Sequence, residues 1–271
     1  MSEHAPRVAR VMVALGADTA GEAALEAAVQ LAAALRAELT GLFIEDVNVM
    51  RVAELPFSRE FGIASGLVRP MDVADMVRAF KSAAAQARGA VAKAAQSTGV
   101  QWTFEVVQGS GLGPLLSAGR PVDWLVIERA RVRAGGVPDP TKLRRRGRFV
   151  VGRRARRPVA VVFDGSADAQ RATLAAQKLA HELARPLLLF LLARTAMDVS
   201  ALRAAAHELM GDDRTRAHYV AVREAGLAGI AGAAQRHHAA VLVWCDSTLR
   251  DDAQRLSEVL SALTCPLVLT E

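Results

Sequence analysis

Asp164, Gly165 and Ser166 stand in the middle of PVAVVFDGSADAQRATLAAQKLAHELA, residues 158–184. The apolar run before them reads as a strand. After them Leu174, Leu179 and Leu183 recur along the inner side of a helix. Strand, small-residue turn and helix open a parallel α/β sheet, in which ligands sit beyond the strand's carboxyl end. Exposed amides at a helix N-terminus there favour an anion, which makes these three residues candidate ligand contacts. A second set is cationic. Residues 129–157 hold eleven arginines, Lys142 and one acid, Asp139, a balance of +11 against +6 for the whole chain, which leaves −5 for the remainder. Arg129, Arg131, Arg133, Arg144, Arg145 and Arg146, with Gly135 and Gly136 between them, can supply anion contacts to a phosphate or an acidic partner. The plainer reading of the same run is a solvated basic surface.

Other chemistry finds no footing. GSGLGP at 109–114 lacks the lysine of a P-loop and the spacing of a dinucleotide fold, and reads as a turn into a short helix. His237 and His238 have no cysteine or carboxylate at metal spacing, so no metal site is expected. Ser166 lies in no GxSxG elbow. Nothing here points to an enzyme.

The elements that position these residues repeat. The segment from Arg10 to Asp46 lies on the stretch that follows Pro158 with a constant shift of 149 residues, pairing Val13 with Val162, Gly16 with Gly165, Leu25 with Leu174 and Leu39 with Leu188. Gly16 thereby becomes the first copy's counterpart of Gly165. The chain reads as two α/β units, 1–157 and 158–271, the second shorter. Strands are expected over 8–15, 39–44, 101–107 and 122–128, then over 158–163, 187–192, 218–222, 241–244 and 267–269. Residues 149–151 are a candidate fifth strand of the first unit. Thr19 and Glu22, three apart, carry a capping-box signature for the first helix. Asp72 is placed to cap the long helix that follows Pro70.

An excursion at 45–70 breaks the pattern with Val49, Met50, Leu55, Phe57 and Phe61 among charges. It is read either as a segment packed over the sheet or as a lid or partner-docking surface beyond a strand end. The longest apolar run, 187–193, falls far short of the roughly 20 residues that span a bilayer. Cys245 and Cys265 fall at opposite ends of neighbouring strands and should not pair, as in a reducing, cytoplasmic setting.

VVFDGSADAQRATLAAQKLA from Val161 and VLSALTCPLVL from Val259 resemble the opening and close of a universal stress protein unit. The chain as a whole resembles a tandem universal stress protein, and LFIEDVNVMRVAELPFSREFG resembles a segment of a proteobacterial branch. The resemblance implies two adenine nucleotide α-hydrolase-like domains. Each would be a parallel five-stranded sheet of order 3-2-1-4-5 flanked by helices, related to the other by a pseudo-two-fold axis. It also implies an ATP seat between first and fourth strands in many members, with an acidic residue after the first and Gly-x2-Gly-x9-Gly-Ser/Thr after the fourth.

This chain departs from that pattern. Asp164 matches the acidic residue, but the later loop, CDSTLRDDAQRLSEVL, has no glycine, and Ala253 and Gln254 stand where Gly-Ser should. Asp246, Asp251 and Asp252 would repel a phosphate. In the first unit the acidic position is Leu15. The expectation is a non-enzymatic regulatory or scaffold protein that binds protein partners and requires no cofactor. One rival is a sensor holding ATP, AMP or another phosphorylated ligand. Another is a cytoplasmic accessory subunit of a membrane transport or respiratory complex, docked through the arginines. Association of the arginines with nucleic acid or an anionic membrane would be salt-dependent, and sequence-specific recognition is not expected with so few aromatics nearby. Outer sheet edges leave a homo-oligomer open. A single undivided sheet, or ATP against residues 245–253, would count against this reading.

Overall fold

The computed structural model describes residues 9–16, 21–55, 57–61, 68–119, 122–128, 157–211, 217–223 and 226–270. The first half runs β1 (Arg10–Leu15), α1 (Glu22–Leu35), β2 (Glu38–Asp46), α2 (Val47–Ala53), β3 (Arg59–Phe61), β4 (Val68–Pro70), α3 (Val73–Thr98), β5 (Trp102–Gly109), α4 (Gly113–Gly119) and β6 (Trp124–Ile127). The second runs β7 (Val159–Phe163), α5 (Ala167–Glu182), β8 (Leu187–Leu192), α6 (Ala196–Met210), β9 (Ala217–Val222), α7 (Leu227–Arg236), β10 (Val241–Cys245), α8 (Ser247–Asp251), α9 (Ala253–Ala262) and β11 (Leu267–Thr270).

The apolar runs become strands because helices cover both faces of the sheet, and a strand buried on both faces needs no polar alternation. Val159 to Phe163 are all buried, as are Trp124 to Ile127. Side chains still alternate between two cores. Val11, Val13, Val161 and Phe163 face the layer of α1, α3 and α5, while Met12, Ala160, Leu267 and Leu269 join the opposite core. Each core contains residues of both halves, and α1 packs against α5 across the junction.

One nine-stranded sheet has the order β5-β2-β1-β6-β11-β10-β7-β8-β9. The second half forms the full 3-2-1-4-5 series, all parallel. Among the described residues the first half forms 3-2-1-4, also parallel. Among the described residues the two halves share one undivided sheet, the outcome that counts against two separate five-stranded units, and the strand order differs in this detail from the expected pair. The candidate fifth strand at 149–151 lies outside the described residues. Its place beside β6 is taken by β11, which pairs antiparallel with it in the register Leu267↔Ile127, Val268↔Val126, Leu269↔Leu125 and Thr270↔Trp124. β11 is fifth strand to β10 on one side and reversed neighbour to β6 on the other, so the strand roles read as a palindrome about it. All eight paired residues are at most 9% exposed, so leaving either edge unpaired would strand buried backbone groups.

Two local expectations are corrected. Helix α1 starts at Glu22 with Gly21 as its N-cap and no side-chain cap from that residue. Glu22 is thus the first helical residue, not the third, and cannot close a capping box. Leu174, expected on the inner side of α5, is 39% exposed, because Ala172, Ala176, Leu179 and Ala180 make the buried stripe.

Candidate functional site: two strand-end seats

The seats lie where strand order reverses, between β1 and β6 in the first half and between β7 and β10 in the second. In the second, the apolar run of β7 ends at Asp164. Its carboxylate accepts from Ser166 N at 2.9 Å, and the Ser166 hydroxyl accepts from Ala169 N at 3.2 Å as the N-cap of α5. Gly165 has φ +87°, and a Cβ there would lie 3.0 Å from Leu202 Cδ2 of α6. The Gln170 amide donates to Gly165 O at 3.2 Å. The turn expected from sequence is present, and these groups bond one another.

The facing loop beyond β10 contains the short helix α8. Asp246 caps it, accepting from Thr248 N at 3.0 Å, and meets Arg255 Nη2 at 3.5 Å. Asp252 then caps α9, accepting from Gln254 N and Arg255 N at 2.9 Å each. Ala253 and Gln254 are the first two residues of α9. The Gln254 amide is engaged by Asp252, an oxygen of this chain in the role a phosphate would fill.

Helix α8 also places Arg250, which is 7% exposed, at the junction between halves. Its guanidinium donates to Val122 O at 2.8 Å, Asp123 O at 3.1 Å and Leu269 O at 3.2 Å. The chain of the first half entering β6 is thereby joined to β11. Sequence reasoning missed this residue. A glycine-free loop with Leu249 beside an arginine was the only sign that the loop folds inward.

Carboxylates and arginines meet at the second seat, Asp168 paired with Arg171 and Asp246 with Arg255. Burial pushes the Cys245 thiol up to about 11, and the carboxylates of Asp168, Asp164 and Asp246 add to it while Arg171 opposes them. Burial likewise pushes Cys265 up to about 11, with Arg157 opposing and Glu128 adding. Both cysteines are free thiols, at opposite ends of the parallel neighbours β10 and β11.

In the first seat Gly16 is exposed just past β1. Leu15, at the acidic position, is 8% exposed, and its Cδ2 would lie 3.2 Å from a Cβ on Gly21. Glu128, beyond β6, turns back so that Oε2 accepts from Ala24 N at 3.3 Å, a long bond into the first turn of α1. A carboxylate 104 residues away supplies the contact that the expected capping box does not. Arg129, Arg131, Arg133, Gly135, Gly136, Arg144, Arg145 and Arg146 lie outside the described residues.

In the excursion Val49 and Met50 are half-buried against the core. Leu55 and Phe57 are 44% and 76% exposed, joined by Val52 and Val68. The side chain of Phe61 lies outside the described residues. Among the described residues no group of three or more histidines, cysteines or carboxylates could hold a metal ion, and no helix is long and apolar enough to cross a membrane.

No family model matches the chain, and no curated protein matches it in sequence. Among solved structures, a universal stress protein from Archaeoglobus fulgidus DSM 4304 is similar over 96% of both chains, at 12% identity and a TM-score of 0.51. A functionally unknown protein from Pseudomonas aeruginosa PAO1 aligns over 97% of this chain and 92% of its own, at 11% identity and a TM-score of 0.48. A universal stress protein in complex with cAMP covers 44% of this chain with 98% of its own, at 18% identity and a TM-score of 0.38. The first of these likenesses shows the fold: a universal-stress-protein-like α/β sheet over nearly the whole chain.

Proposed function

We propose that the chain is a tandem pair of universal-stress-protein-like units, divided near residue 157, that acts by binding as a regulatory or scaffold protein without catalysis. The observation that carries this reading is that the chain's own oxygens cap described helix N-termini beside both strand-end seats. Ser166, Asp246 and Asp252 cap the helices around the second seat, and Glu128 reaches the first turn of α1 in the first. A nucleotide phosphate would have to displace these oxygens and approach the Asp164 carboxylate, while Asp168 and Asp246 are already paired with Arg171 and Arg255. The fold then presents surfaces to protein partners, the excursion foremost, and needs no cofactor.

A second reading, a sensor for ATP or AMP, draws support from the Asp164-Gly165-Ser166 turn and its positive-φ glycine. Acid extraction of the freshly purified protein, followed by anion-exchange chromatography, separates the two. The binding-protein reading expects far less than one nucleotide per chain. A stoichiometric nucleotide, lost in Asp164→Ala, would establish the sensor instead. Capture of a transport or respiratory complex from solubilised membranes, dependent on Arg144, Arg145 and Arg146, would identify the partner as that complex.

A further inference from the structure

The second seat and the seam between the halves share one short helix. Helix α8 has five residues, little more than one turn, and a helix that short does not hold its shape unaided. Leu249 and Arg250 form its buried side, while Ser247, Thr248 and Asp251 are exposed. On the outer side Asp246, Thr248 and Arg255 tie it down. The Asp246 carboxylate accepts from Thr248 N at 3.0 Å and meets Arg255 Nη2 at 3.5 Å. Arg255 Nη1 also donates to Thr248 Oγ1 at 2.6 Å. Asp246 follows the last residue of β10, which runs parallel to β7, so these ties stand on the rim that carries the Asp164 turn.

The inner side of α8 reaches the other half. Leu249 joins the core that contains Leu125 and Ile127 of β6 and Leu267 and Leu269 of β11. Arg250 donates to Val122 O and Asp123 O at the entrance to β6 and to Leu269 O in β11. Asp123 is in turn held to β1, its Oδ2 accepting from Arg10 N at 2.8 Å and its N donating to Arg10 O at 3.1 Å. Strand β6 meets β11 through four registered pairs, and beyond its far end Glu128 holds the first turn of α1. The packing of α1 on α5 joins the halves separately, so a change in α8 bears on the β6–β11 seam and not on the whole join.

We propose that α8 is a relay between the second seat and this seam. In one state Asp246 and Arg255 hold α8 wound, and Arg250 spans the three carbonyls. In the other, Asp246 is drawn away, α8 unwinds, Arg250 withdraws into water and the β6–β11 ladder opens more often. A cationic group of a protein partner that competes with Arg255 for Asp246 favours the second state. By linkage, loosening the seam makes Asp246 easier to engage. The states differ by a few bonds around one turn of helix, which keeps the opening local.

The test is amide hydrogen exchange of the full chain, read by mass spectrometry, on wild type, Asp246→Ala, Arg250→Ala and the two combined. Residues 187–192 of β8 serve as the reference strand. Asp246→Ala should raise exchange in 124–127 and 267–270 roughly fivefold, with β8 unchanged. Arg250→Ala should raise the same amides at least as much, and the double variant should add little to it, since both act through α8. Thr195→Ala removes a cap of the same kind from α6, where the hydroxyl accepts from Asp198 N at 3.1 Å, and should leave the seam at wild-type rates. Thr248→Ala alters an exposed side chain and should move the seam amides in the same direction even if Asp246→Ala does not fold. No acceleration at the seam, equal acceleration in β8, or independent additive effects of Asp246 and Arg250 would overturn the relay. The assay involves neither nucleotide nor partner, so its failure leaves the binding-protein reading intact, and a nucleotide found in the seat leaves the relay intact.

Discussion

Replacing Arg250 by alanine should loosen the junction between the halves. The buried guanidinium serves three backbone carbonyls, Val122 O and Asp123 O at the entrance to β6 and Leu269 O in β11. A hydrogen bond from a charged donor is worth about 1.5–3 kcal/mol net, but three such bonds to one buried group are not additive. Removing the donor leaves three buried carbonyls short of a partner at about 1–3 kcal/mol each, not additive, so a total loss of about 3–5 kcal/mol is expected here. For a chain of this size that corresponds to a fall in melting temperature of roughly 6–20 °C. Arg250→Lys should fall between wild type and alanine, because a single ammonium cannot span three carbonyls in a plane. Arg255→Ala is the control: its side chain is 42% exposed and its ion pair with Asp246 is 3.5 Å long, so a loss of at most about 1 kcal/mol is expected. Urea unfolding followed by circular dichroism reads all three. A loss below about 1 kcal/mol for Arg250→Ala, equal to the control, would refute the idea that this side chain joins the halves.

Gly165→Ala should cost about 1–3 kcal/mol, since φ +87° disfavours any side chain and the new methyl would meet Leu202, as a thermal melt can show. Glu128→Ala should lower stability by about 0.5–2 kcal/mol through the loss of its bond to Ala24 N, readable in the same melt. The thiols give a pH prediction. The folded pKa of Cys245 and of Cys265 is raised to about 11, so their contribution to stability is complete below the ordinary thiol value. It is lost as pH rises from there toward 11. Iodoacetamide labelling of the native protein should stay slow at neutral pH and accelerate only in that alkaline window; rapid labelling of both thiols at neutral pH would contradict it.

Much of the fold was legible because a doubly covered strand is apolar nearly throughout, as in VAVVF and LLLFLL. The repeat at a shift of 149 residues was legible because both copies start with the same strand–turn–helix, and Asp72 does cap α3 through Ala74 N. What the sequence did not carry is neighbourhood. LVLT reads as a buried strand whichever partners flank it, so nothing local announces that β11 serves both halves. The box expected at Thr19 and Glu22 gives way to Glu128 because a cap is defined by where a carboxylate arrives in space. Nothing in the sequence singles out Arg250, and only the fold of α8 turns it onto three carbonyls. Leu174 illustrates the reverse: small alanines packed close enough to the sheet to leave a leucine outside. The Asp164-Gly165-Ser166 turn was legible as geometry, while the internal use of its polar groups was not.

Equilibrium dialysis of the purified chain against labelled ATP with magnesium at physiological salt addresses the capped helix N-termini most directly. With Asp246, Asp252, Ser166 and Glu128 occupying the helix N-termini, no saturable binding is predicted across the millimolar range. Saturation at one ATP per chain at micromolar concentration would contradict the account.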